Sequence, residues 1–224
     1  MSLETKDWSC PKKIKARYET IIKSYRQYSG RESIPADSQY WTMIGKCSDG
    51  DGKLSVNVEP DQIIKSAIAK PHQIHGVEIK EEIFDANNTV DCGINWYNGD
   101  FLQTMKDQMH DGVFEPAIVN ADLVCMKDRG SSYVAKIMKF LSDVPRDIML
   151  VCNIILAIRS HNSIMQDMVK DLKKHRAYDY AMDSANWKQS ELHYEYPGTG
   201  NSMTRMGSLI FYKNTRYYFR KKQK

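Results

Sequence analysis

What most constrains this chain is a change of rhythm along it. From about residue 40 to residue 175, short apolar and β-branched runs alternate with longer stretches whose apolar residues recur every three or four positions. A repeat of two marks a strand, and a repeat near 3.6 marks a helix with one buried face. A helix between two strands carries the chain back across the sheet, so strands linked this way run parallel. After residue 190 the rhythm changes again. Leu192 to Tyr196 and Gly207 to Tyr212 are strand-like, and only the turn-rich PGTGNS separates them. They form a predicted antiparallel pair.

Laid out along the chain, the pattern begins with a helix over Pro11 to Tyr28. Ile14, Tyr18, Ile21, Ile22 and Tyr25 share one face, and Ser29-Gly30 ends it. Strands follow at Tyr40 to Ile44, Gln73 to Ile79, Ile94 to Tyr97, Pro116 to Asn120 and Ile148 to Leu156. Helices are expected from Pro60, over Glu81 to Asn87, from Phe101, after a Ser131 cap, and over Ser163 to His175. The expected fold is therefore α/β. It is a doubly wound, mostly parallel seven-stranded sheet with a C-terminal antiparallel hairpin, preceded by an N-terminal helix. The expected divisions are a helical extension over 1–38, a Rossmann-like domain over 39–213 and a basic aromatic tail over 214–224.

Composition narrows the function classes. Hydrophobic residues make up 42% and charged residues 27%, which is globular. The longest apolar run, Ile148 to Ile158, is broken by Asn153 and is too short to cross a bilayer, so no membrane association is expected. The first residues, MSLETKDWSCPKKIK, lack the apolar core of a secretory leader, and the cytoplasm is the expected compartment. The five cysteines stand singly, without a CxxC, which points to no disulfide framework and no zinc knuckle. Net charge is +4, but six basic residues and no acid lie from Lys213 onward, leaving 26 basic against 28 acidic in the body. The ending FYKNTRYYFRKKQK fits either a solubilising tail or a nucleic-acid contact, because lysine and arginine neutralise phosphates and aromatics stack on bases.

In sheets of this kind ligands bind at the carboxyl ends of the strands. Three successive ends carry similar polar triplets: Gly76-Val77-Glu78, Asn98-Gly99-Asp100 and Asn120-Ala121-Asp122. Their acids are spaced 22 and 22 residues apart. Acids here can cap helices, or they can accept hydrogen bonds from a ribose diol and an adenine amine.

This order resembles that of the class I S-adenosylmethionine-dependent methyltransferases over about Gln39 to Tyr212. HGVEI, INWYNGDF, PAIVNADL and the ending MGSLIFYK carry the likeness. The resemblance implies that S-adenosylmethionine is the cofactor. It implies a ribose acid at Glu78 and an adenine site at Gly99, Asp100 and Phe101, with Asn120 and Asp122 facing the methyl group and its acceptor. The family's glycine-rich loop falls on Gly45, Gly50 and Gly52, where Asp49 and Asp51 can pair with the cofactor's ammonium. This loop, GKCSDGDG, departs from the compact GxGxG form of the family. Two alternatives follow. One is a methyltransferase-like binding protein without catalysis. The other is a Mg²⁺-dependent phosphoesterase using Glu78, Asp100 and Asp122 together. Neither the DGDG loop, which lacks the remaining calcium ligands, nor His72 with His75 makes a metal site, and no protein-bound metal is expected.

Overall fold

The computed structural model describes residues 11–49, 51–123, 127–156, 169–184, 187–197 and 203–215. The strands are β1 (Gln39–Met43), β2 (Ile74–Glu78), β3 (Asn95–Asn98), β4 (Pro116–Leu123), β5 (Ile148–Leu156), β6 (Trp187–Pro197) and β7 (Met203–Lys213). The helices are α1 (Pro11–Arg17), α2 (Ser24–Ser29), α3 (Glu59–Lys65), α4 (Glu81–Asn88), α5 (Phe101–His110), α6 (Lys127–Ser142) and α7 (Arg176–Ser184). One sheet holds all seven strands in the order β3-β2-β1-β4-β5-β7-β6. β1 to β5 pair in parallel, and β7 runs antiparallel to both β5 and β6. The expected fold class is observed.

The strands' alternation explains why both faces are covered. On β1, Trp41 points to one face and Tyr40 to the other, and both are fully buried. Trp41 joins a core built with Phe101, Met105, Ile137, Met138 and Phe211. Tyr40 joins a second core with Ile21, Ile22, Tyr25, Ile63 and Ile118. β5 divides in the same way, Ile148 and Leu150 to the first core, Met149 and Val151 to the second. Its apolar run, interrupted at Asn153, is what a strand buried on both faces requires.

Four local features differ from the sequence expectation. The N-terminal helix widens into a π-helical segment over Tyr18–Lys23 before α2. The extra residue per turn rotates the buried face, so Ile21, Ile22 and Tyr25 pack inward while Tyr18 is exposed. Helix α6 begins a turn ahead of the expected cap, and Ser131 is buried within it, facing His175 Nε2 at 3.5 Å. Helix α7 was not anticipated, because only Tyr178 and Ala181 on it are buried. The hairpin strands are also longer at both ends than their apolar centres, pairing from Trp187 with Lys213 to Pro197 with Met203. Of the expected helix over Ser163 to His175, residues 169–173 are helical and residues 163–168 lie outside the described residues.

Lys213 corrects the reading of the charged terminus. It is the last residue of β7 and is buried, and its ammonium donates to the carbonyls of Leu141, at 2.7 Å, and Val144. It therefore caps the C-terminal end of α6, where a cation meets unpaired carbonyls. Burial lowers its pKa to about 8. The basic residues from Arg216 on lie outside the described residues. Among the described residues, no helix is long and apolar enough to cross a membrane.

His75 on β2 stacks on Trp41 at 4.6 Å and meets Tyr97 Oη through Nδ1 at 3.1 Å. Burial lowers its pKa from 6.5 to about 4. Because the folded value lies below the unfolded one, the unfolded chain takes up the proton first as pH falls. The stability tied to neutral His75 is whole above pH 6.5 and is lost towards pH 4, up to about 3 kcal/mol. Denaturant unfolding at pH 7 and pH 4 should show a smaller acid loss in His75→Phe than in wild type. Equal losses would mean that the fold does not lower the His75 pKa.

Candidate functional site

The switch point of this sheet lies between β1 and β4, whose connections leave to opposite sides. The chain leaving β1 is pinned there. Ile44 N donates to Val77 O at 3.0 Å, Cys47 N donates to Asn87 Oδ1 at 2.7 Å, and Asn87 Nδ2 donates to Gly45 O at 3.0 Å. Asn87, on α4, is fully buried and holds the turn from both sides. Beyond Cys47 a bridge between Ser48 and Leu54 closes a small hairpin. The Asp49 carboxylate accepts from the backbone N–H groups of Asp51 and Lys53, which also lowers its pKa. Gly52, at φ +72°, sits in that hairpin near Thr89.

After the hairpin, Pro60 in the first turn starts α3, with Glu59 as its first residue. The Glu59 carboxylate turns in over β1. Oε1 accepts from Tyr40 Oη at 2.7 Å and Thr42 Oγ1 at 2.5 Å, and Oε2 accepts from Asn120 Nδ2 at 2.7 Å. Arg17, at the end of α1, reaches the same region and donates to Asn57 O and Gln62 Oε1. Together Arg17, Gly45, Lys46, Cys47, Glu59 and Asp122 line a cavity at the end of β1. Two acids and two bases around one cavity suit a ligand that carries both an ammonium and a carboxylate. The Cys47 thiol is buried. Burial, with the Glu59 charge beside it, pushes its pKa far up, so it stays protonated. Burial and the same carboxylate hold the Tyr40 phenol protonated too.

The residues anticipated from sequence fall into separate places. Gly45 and Asp122 meet at the cavity. Gly52 lies in the hairpin, and Gly50 lies outside the described residues. Asn120 is fully buried and holds Glu59 instead of lining the opening. Glu78 stands at the end of β2, partly exposed, with Oε1 accepting from Lys80 N at 2.9 Å. Gly99, at φ +146°, donates its N–H to Glu78 O. Asp100 caps α5, accepting from Gln103 N at 2.9 Å and Tyr133 Oη at 3.1 Å. Phe101 is turned into the core at 2% exposure. Among the described residues, no three His, Cys, Asp or Glu side chains gather as a metal-binding group. Glu78, Asp100 and Asp122 are spread along β2, β3 and β4 and do not form the cluster that the phosphoesterase alternative needs. Arg17, Glu59 and Asn87 were not anticipated. Glu-Pro at a helix start is ordinary N-terminal chemistry, and nothing local marks it as part of a site.

No protein-family model matches the sequence, and no curated protein matches it. Solved structures do match the fold. Protein LPL1258 from Legionella pneumophila superposes with a TM-score of 0.50 at 9% identity, over 87% of this chain and 82% of that one. The plantazolicin methyltransferase BpumL, solved with a pentazolic desmethylPZN analogue and S-adenosylhomocysteine, gives a TM-score of 0.51 at 10% identity, over 91% of this chain and 86% of that one. The chain has the fold of the class I S-adenosylmethionine-dependent methyltransferases.

The roles of Glu78 and Asp100 separate in stability. Asp100→Ala removes the cap of α5 and should cost about 1 kcal/mol. Glu78→Ala gives up one bond at a partly exposed position and should stay within about 0.5 kcal/mol of wild type. Thermal unfolding of the two variants checks this, and equal midpoints would remove the capping role from Asp100.

Proposed function

We propose that this chain is an S-adenosylmethionine-dependent methyltransferase whose cofactor places its amino-acid end in the cavity between β1 and β4. The observation that carries the reading is the charge pattern of that cavity, acids and bases together at the switch point of a sheet with the methyltransferase strand order. Glu59 would hold the ammonium, and Arg17 and Lys46 the carboxylate. Gly45, with open space where a Cβ would stand, leaves the approach clear. Glu78 would accept from the ribose hydroxyls, and Gly99 and Asp100 would meet the adenine. Phe101 would support that site from the core beneath.

When bound, the cofactor supplies an electrophilic methyl group on a sulfonium centre. The chain's own share is to orient the two partners and exclude water. Asp122, at the cavity, would take a proton from the acceptor. Asn120 acts from behind by holding Glu59. Cys47 and Cys92 carry reduced thiols, which fits the reducing, cytoplasmic compartment expected from sequence. Nucleic acid as the acceptor rests on the charge of the basic tail and of the lysine-rich first helix.

Calorimetric titration of the full chain with S-adenosylhomocysteine tests the reading. Wild type should bind saturably, and Glu78→Ala should weaken binding by about 1–3 kcal/mol, the scale of a lost charge-assisted hydrogen bond. A folded wild-type chain that shows no saturable binding, or a Glu78→Ala variant that binds as tightly, would sink it. Magnesium-dependent phosphodiester hydrolysis in the same preparation would favour the phosphoesterase alternative.

A further inference from the structure

The polar chain that starts at Glu59 continues across the sheet. Asn120 Oδ1 accepts from Asn153 Nδ2 at 3.0 Å, and Asn153 Oδ1 accepts from the Ser208 hydroxyl at 2.6 Å. These residues stand on β4, β5 and β7, which are neighbours in the sheet. Asn120 and Ser208 are fully buried, and Asn153 is 8% exposed. The residues two positions back along the same strand faces are Ile118, Val151 and Ile210, all in one apolar core. Amides are costly to bury there unless each finds a partner.

The chemistry at one end fixes the direction of the whole row. An ionised carboxylate only accepts hydrogen bonds. Asn120 must therefore present its amide nitrogen to Glu59. Its carbonyl then faces Asn153 and needs a donor, so Asn153 presents its own nitrogen. The Asn153 carbonyl is left facing Ser208, whose hydroxyl must donate. Every donor in the row points towards Glu59.

We propose that Ser208, Asn153 and Asn120 form a one-way hydrogen-bond relay that orients the Glu59 carboxylate. Ser208, three strands along the sheet from β1, is then a positioning residue for the ligand cavity. The relay's importance for a cationic ligand group rests on the reading of the cavity given above, but its effect on Glu59 does not. If Ser208 loses its hydroxyl, Asn153 loses the donor that orients it. Asn120 is then free to turn its carbonyl towards Glu59, and the charged form loses a donor. The other groups around Glu59 are Arg17 from α1, Tyr40 and Thr42 from β1, Lys46 and Cys47 from the loop, and Asp122 from β4. None of them is changed in these variants, so a change in Glu59 reports on the relay.

The test is a ¹³C-carboxyl NMR titration of the ligand-free full chain, with the Glu59 signal assigned through Glu59→Gln. Removing a donor from a carboxylate disfavours its charged form, so Ser208→Ala should raise the Glu59 midpoint by about 0.5–1 pH unit. Ser208→Thr, which keeps the hydroxyl, should restore it. Asn153→Leu should move it in the same direction as Ser208→Ala and serves if that variant folds poorly. S-adenosylhomocysteine affinity should fall about threefold to tenfold in Ser208→Ala near the Glu59 midpoint and recover at higher pH. A Glu59 midpoint unchanged in both folded variants overturns the relay. A wild-type chain that binds no S-adenosylhomocysteine overturns the cavity reading, while the relay still stands or falls on the carboxylate titration.

Discussion

The Glu59 carboxylate is the interaction on which this end of the molecule depends. It accepts from Tyr40 and Thr42 on β1 and from Asn120 on β4, so one side chain ties α3 to both strands of the switch point. An acid half-buried against a sheet face is costly unless its oxygens are bonded. Here three donors meet them. With α3 held in this way, the segment between β1 and α3 has both ends fixed, and Asn87 fixes its first turn. The cavity is what remains between these anchored pieces.

That arrangement gives the N-terminal helices a part in the site. Ile21, Ile22 and Tyr25 pack into the core that also holds Tyr40, so α1 cannot drift from β1. Arg17 sits where α1 passes into the π-helical segment and bonds the backbone just ahead of Glu59. An arginine brought in from outside the alternating strands and helices thus offsets acids supplied by them.

The same residue types do different work at neighbouring strand ends. Glu78 is partly open to solvent and held by Lys80 N, whereas Asp100 is occupied by the first turn of α5 and by Tyr133. Asn120 and Asp122 stand two apart on β4, yet one is sealed inside the sheet and the other lines the cavity. Spacing along the sequence was alike for all three triplets, and what separates them is which helix or strand covers each end.

The sequence by itself determined the architecture. A repeat of two against a repeat of 3.6 is a local property, and it dictates which faces need burial and hence a parallel sheet with helices on both sides. The nearly continuous apolar run of β5 and the helix-free hairpin at the end were legible for the same reason. Gly45 and Asp122 were legible as strand-end residues, because parallel topology puts those ends together. Tertiary structure alone decided the identity of the cavity's acid and the fate of its neighbours. Glu59 meets its partners across 17, 19 and 61 residues, and Asn120, Asn153 and Ser208 are joined only because β4, β5 and β7 lie side by side. Lys213 looked like the start of a charged tail until the end of α6 supplied carbonyls for its ammonium. Hydrogen bonds of this kind depend on angles and distances between elements far apart in the chain, and no local pattern of residues encodes them.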